Sequence, residues 1–108
     1  MEQTEFLEKN VFTDLKNRND GFDEETVHYF SESDFEIILK QVEYFGIGVY
    51  EIKTWLKDEL HHVSSHEDRN KKATDPKWYK KAFLTFKTGQ SGLLYGATYK
   101  VSKKLLER

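Results

Sequence analysis

GLLYGATYKV, residues 92–101, decides the fold, because it reads in two ways. As a strand it alternates Leu93, Tyr95, Ala97, Tyr99 and Val101 on one face. As a helix it groups Leu94, Ala97, Val101 and Leu105. Gly92, Gly96, Thr98 and the two tyrosines favour the strand. So does the segment upstream. GIGVYEIKTW (46–55) is rich in β-branched and aromatic residues, Lys57-Asp58 suits a turn, and LHHVSSH (60–66) supplies a partner strand. An isolated hairpin is marginal in water, so residues 93–101 are expected to complete a sheet.

Two helices flank this hairpin. In SESDFEIILKQVEYFG (31–46), Ser33 is the expected N-cap, with Glu36 completing a capping box and Gly46 at the C-terminal end. Phe35, Ile38, Leu39, Val42 and Phe45 share one face, leaving Ile37 and Tyr44 opposite. In TDPKWYKKAFLTFKTG (74–89), Asp75 precedes Pro76 at the first helical position. Trp78, Tyr79, Ala82, Phe83 and Phe86 form its apolar stripe. Lys77, Lys80, Lys81 and Lys87 share the other side with Leu84.

The ends are less regular. TEFLEKNVFTDLK (4–16) carries a narrow helical stripe of Leu7, Val11 and Leu15, and NRNDG (17–21) reads as a loop. TVHYF (26–30) fits a short strand or a helical turn, and SKKLLER (102–108) a short helix or tail. The expectation is a single α+β domain over 1–108. A small, mainly antiparallel sheet of about three strands (47–54, 60–65 and 93–101) is packed by two or three helices, including 33–45 and 76–87. Residues 1–20 form a peripheral helix and loop. The expected core is Phe35, Ile38, Val42, Phe45, Trp78, Phe83 and Phe86.

Composition narrows function by exclusion. The 108 residues are 37% apolar and 15% aromatic, as in a folded chain, and contain no cysteine. Disulfides, thiolate catalysis and Cys-ligated metals are therefore excluded. MEQTEFLEKN lacks the layout of a secretory signal, and no apolar run is long enough to span a bilayer, so a cytoplasmic location with no membrane association is expected.

The formal charge of −2 conceals a division. Residues 1–68 carry 17 Asp/Glu and 6 Lys/Arg, a balance of −11; residues 69–108 carry 2 and 11, a balance of +9. HHVSSHEDRNKK (61–72) spans the junction. As a metal site it is poor: on a strand, His62 and His66 lie about 13 Å apart at about 3.3 Å per residue, too far to share an ion. It reads better as a seam between two differently charged parts. The basic half is either neutralised by folding against the acidic half or left exposed to an anionic partner.

Catalytic signals are thin. GQSG (89–92) matches a nucleophile elbow only in part, since Leu93 stands where the second glycine belongs. GIG (46–48) lacks dinucleotide-binding spacing. His28, with Asp23, Glu24, Glu25 and Glu32 nearby in sequence, could support acid–base chemistry. The chain is therefore read as a small, non-enzymatic binding or protein-interaction module without cofactor or metal. Its partner is another protein or a second copy, with Ile37, Tyr44 and Leu84 as contact points. The first alternative is nucleic-acid binding through Arg69, Lys71, Lys72, Lys77, Lys80, Lys81 and Lys87, extended by Lys103, Lys104 and Arg108. The second is an enzyme using His28 or the cluster from His61 to Asp68.

Overall fold

A computed structural model describes residues 1–107; Arg108 lies outside them. The elements run α1 (Gln3–Asn10), β1 (Tyr29–Phe30), α2 (Glu32–Phe45), β2 (Gly48–Leu56), β3 (Glu59–Ser65), α3 (Pro76–Gly89), β4 (Leu94–Lys100) and α4 (Lys103–Leu106). The fold is α+β, with a four-stranded antiparallel sheet in the order β1-β4-β2-β3. No helix among the described residues is long and apolar enough to cross a membrane.

Residues 94–100 are a strand, and the alternation explains why. Leu93, Tyr95, Ala97, Tyr99 and Val101 are all buried, together with Val49 and Ile52 of β2. Trp78, Tyr79, Ala82, Phe83 and Phe86 of α3 and Phe35, Ile38, Leu39 and Val42 of α2 belong to the same core, while Phe45 is half-buried at its margin. Phe35 and Phe83 both pack on Tyr95, with ring centroids at 5.3 and 5.1 Å. Lys57 and Asp58 both have positive φ (50° and 65°), the geometry of a two-residue hairpin turn.

Three details differ from the sequence expectation. The cap of α2 is Ser31, whose Oγ accepts from the Asp34 N–H at 3.3 Å. Ser33 instead lies inside the first turn. The first helix stops at Asn10, because Val11 and Phe12 both turn back to the Leu7 carbonyl and Asp14 adopts a φ of 63°. Phe6, Leu7, Val11 and Phe12 are buried in the main core, so this helix is packed into the fold and is not peripheral.

The sheet has a fourth strand, supplied by Tyr29 and Phe30. Asn19 holds the preceding loop by donating to the Glu24 and Val27 carbonyls at 2.9 and 2.8 Å. Asn17 accepts from the Tyr29 N–H at 3.0 Å. Tyr29 then lies over Gly96, where a Cβ would stand only 2.6 Å from the Tyr29 ring. Glycine is required there by close approach, since its φ is not positive.

Candidate binding cleft beside the edge strand

The junction between the acidic and basic parts is an ordered loop. His66 Nδ1 lies 2.8 Å from the Lys71 carbonyl, and the Lys71 N–H donates to the His66 carbonyl at 3.0 Å. The His66 ring also packs near Tyr50 and Trp78. This histidine therefore fixes the loop that presents Arg69 and Lys71. Among the described residues, no group of three or more His, Cys, Asp or Glu side chains is placed to hold a metal ion.

Arg69 is aimed by a single hydrogen bond. Its Nε donates to Ser64 Oγ at 2.9 Å, tying the guanidinium to β3. A guanidinium has five N–H donors, so this contact leaves four available to a ligand. Beside it, Lys77 and Lys81 emerge from one side of α3 at i, i+4 spacing. Arg69, Lys71, Lys77, Trp78 and Lys81 line a cleft of about 470 Å³. It adjoins a second cleft of about 350 Å³ between β3 and the C-terminal part of α3, with Arg69 common to both. His61, His62, Val63 and Ser64 form one wall there, and Thr85, Phe86 and Gly89 the other. No carboxylate lines either cleft; Glu67 and Asp68 are on the same loop but outside the linings.

Helical geometry divides the predicted lysine face in two. Lys80 and Lys87 project from the other side of α3 and pair with Glu43 and Glu36 of α2, the latter at 3.5 Å. Arg69, Lys71, Lys72, Lys77 and Lys81 lie within ion-pair distance of no carboxylate among the described residues. The seven predicted cations thus fall into two sets, Lys80 and Lys87 paired with glutamates of α2 and the other five without an ion-pair partner among the described residues. Trp78, 2% exposed, keeps its Nε1 buried without a hydrogen-bond partner, and Phe83 and Phe86 are also buried. The basic half consequently offers no exposed aromatic platform on α3 for stacking bases.

β3 borders this cleft as an edge strand, paired with β2 on one side only. A bulge where Trp55 meets Leu60 leaves regular pairing from His62 to Ser65. The His66 N–H points inward to the Tyr50 carbonyl at 3.0 Å, so by strand alternation Val63 and Ser65 direct their backbone polar groups outward. The strand is the one the sequence leads one to expect at 60–65; that its outer side is the open edge of the sheet carries no periodic signal.

No protein-family model matches the chain, and no curated protein or solved structure is found similar to it. The geometry alone carries the functional argument.

The other predicted residues fall elsewhere. Ile37, Tyr44 and Leu84 are exposed (47, 79 and 54%), the first two at i, i+7 spacing on α2 and the third on α3. Leu84 lines a groove of about 290 Å³ between α2 and α3, with Leu39, Phe83, Lys40, Lys80 and Lys87. Ile37 and Tyr44 line none of these clefts. His28 borders a further cavity of about 270 Å³ with Glu24, Thr4, Thr98 and Tyr99. Its ring stacks on Phe12, and its Nε2 lies 3.7 Å from Glu8, a partner from α1 and not one of its sequence neighbours. Asp23 instead accepts from the Tyr29 hydroxyl at 2.6 Å. The Tyr99 hydroxyl is buried without a partner, and burial pushes its ionisation upward. The hydroxyls on this cavity come from threonines and Tyr99, with no serine or cysteine nucleophile in the lining.

Proposed function

We propose that this chain is a non-enzymatic binding module, acting in the cytoplasm, that captures an anionic segment of a partner protein in the cleft between β3 and α3. The observation that supports it is the placement of Lys71, Lys77 and Lys81 around an adjoining cleft that shares Arg69 with this one, without a carboxylate in either lining. Like charges held close together repel one another, and an anionic ligand relieves that repulsion while adding charge-assisted hydrogen bonds. Binding of this kind weakens with salt, because contacts at an open surface are screened over about 8–10 Å at physiological ionic strength.

Nucleic acid is the second reading, favoured by the same cations. It is the weaker one, since Trp78, Phe83 and Phe86 are occupied in the core and stacking on exposed aromatics is unavailable on α3. Anisotropy of a fluorescein-labelled ten-residue polyglutamate peptide, with a single-stranded oligonucleotide as competitor, separates the two. The expected result is salt-sensitive peptide binding that falls about tenfold or more in Lys77→Gln/Lys81→Gln and less than about twofold in Lys80→Gln/Lys87→Gln. No peptide binding at low salt, equal losses in both variants, or tighter binding of the oligonucleotide would overturn the proposal.

A further inference from the structure

We infer that the partner binds as an extended strand added to the outer edge of β3, directing alternate acidic side chains toward α3 and the intervening apolar ones toward Val63. The inference rests on the proposed capture of an anionic segment and specifies its conformation and pattern.

The edge supplies the register. Among the described residues, no backbone hydrogen bond other than those within the sheet reaches Glu59–Ser65, so the outward groups of Val63 and Ser65 are unpaired. An edge of this kind accepts a further strand through main-chain hydrogen bonds. The bulge at Trp55/Leu60 ends the regular template, which limits continuous pairing to His62–Ser65. Two outward residues fix register and direction; the cations supply the remaining attraction.

The two faces supply the pattern. His62 and Ser64 sit opposite Thr54 and Ile52, on the helix-packed face of the sheet, where the His62 ring lies 6.0 Å from Phe86. Arg69 is tied to Ser64 on this side, so a side chain of an added strand that points the same way enters the cleft lined by Arg69, which the lysine-lined cleft adjoins. Val63 sits opposite Lys53 on the other face and is 39% exposed, with Leu60 (52% exposed) opposite Trp55 beyond the bulge. A side chain pointing to that face lies beside Val63 and away from Arg69, with the Lys53–Glu51 pair on the next strand. Since strand side chains alternate with period two, the complementary ligand alternates acidic and apolar residues. A helical ligand would present its acidic groups at a spacing of three to four and could not engage the edge groups.

The test uses ¹⁵N-labelled full-length protein and two eight-residue probe peptides, (Glu-Val)4 and (Glu-Glu-Val-Val)2, equal in composition and charge. (Glu-Val)4 is expected to bind about tenfold more tightly or better, and to slow exchange of the Val63 and Ser65 amides while leaving the already paired Ser64 amide unchanged. Equal binding of both peptides without protection at Val63 and Ser65 would overturn strand addition while leaving capture of an acidic segment intact. Binding by neither peptide would overturn both. Protection of the same two amides in concentrated protein without peptide, with a doubled mass in solution, would identify a second copy as the occupant and overturn the acidic-peptide inference.

Discussion

Gly96→Ala should destabilise this protein by about 2–4 kcal/mol, although it adds one methyl group. The added Cβ would lie 2.6, 2.8 and 2.9 Å from three atoms of the Tyr29 ring. Carbon atoms in contact normally stay about 3.5–4.0 Å apart, so the ring would have to move by about 1 Å. It has nowhere easy to go. Tyr29 is fully buried, with Phe22 and Trp55 around its ring at centroid distances of 5.0 and 6.2 Å. Its hydroxyl donates to Asp23 at 2.6 Å and accepts from Trp55 Nε1 at 2.9 Å. Overpacking costs about 1–3 kcal/mol, and a displaced ring also weakens two hydrogen bonds, one of them to a carboxylate, at about 1 kcal/mol or more. Urea unfolding followed by tryptophan fluorescence measures the sum, with Trp55 reporting beside the site. Tyr29→Phe completes a double-mutant cycle. Alone it should cost about 1–2 kcal/mol; with Gly96→Ala already present it should cost clearly less, since the hydroxyl contacts are then disrupted. A Gly96→Ala protein within about 0.5 kcal/mol of the parent, or strictly additive effects, would refute the reasoning.

Two further predictions concern a cap and a carboxylate. Ser31→Ala should cost about 1 kcal/mol by leaving the Asp34 N–H without its cap, whereas Ser33→Ala should stay within about 0.5 kcal/mol; paired urea melts distinguish them. Burial pushes the Asp23 carboxyl upward, but the hydrogen bonds from Tyr29 and the Glu24 backbone and the nearby Lys53 ammonium outweigh it and hold the group below its ordinary 3.8. A depressed carboxylate contributes stability above its unfolded value and loses it as pH falls through the folded one. The stability advantage of the parent over Asp23→Asn should therefore be largest near neutral pH and shrink between about pH 5 and pH 2. An advantage that is constant across that range would refute the assignment.

What the sequence reveals follows from how local each feature is. The strand at 94–100 is legible because burial on one face leaves a period of two, and α3 because Asp75-Pro76 fixes its start. The cap of α2 is misplaced because Ser31 and Ser33 both precede the same apolar run; only the hydrogen bond to Asp34 distinguishes them. β1 is two residues long and has no periodicity to detect. It exists because Asn17 and Asn19 clamp a loop against the sheet and Gly96 makes room for a ring, and these are tertiary contacts. The cationic residues of the cleft are plain in the sequence. Their division into paired and unpaired sets is not, because it depends on which side of α3 faces the glutamates of α2.

That division also supports the proposal that the cleft serves binding. Stability does not account for it. The pairs Lys80–Glu43 and Lys87–Glu36 are substantially exposed, and surface pairs of this kind are worth about 0–1 kcal/mol each. The α2–α3 packing rests instead on Phe35, Ile38, Phe83 and Tyr95, which are almost wholly buried. Solubility does not require the arrangement either, since glutamate or glutamine would suit the exposed helical positions 77 and 81 equally well. A surface with both signs interspersed would minimise repulsion, yet Arg69, Lys71, Lys77 and Lys81 are gathered at one cleft in a chain whose net charge is −2. On the proposed reading, an anion bound at the cleft would relieve the repulsion among them. On the same reading, Arg69, tied to β3 and common to both clefts, would link the charge an anion neutralises to the open backbone edge it follows, a combination that neither half of the sequence provides alone.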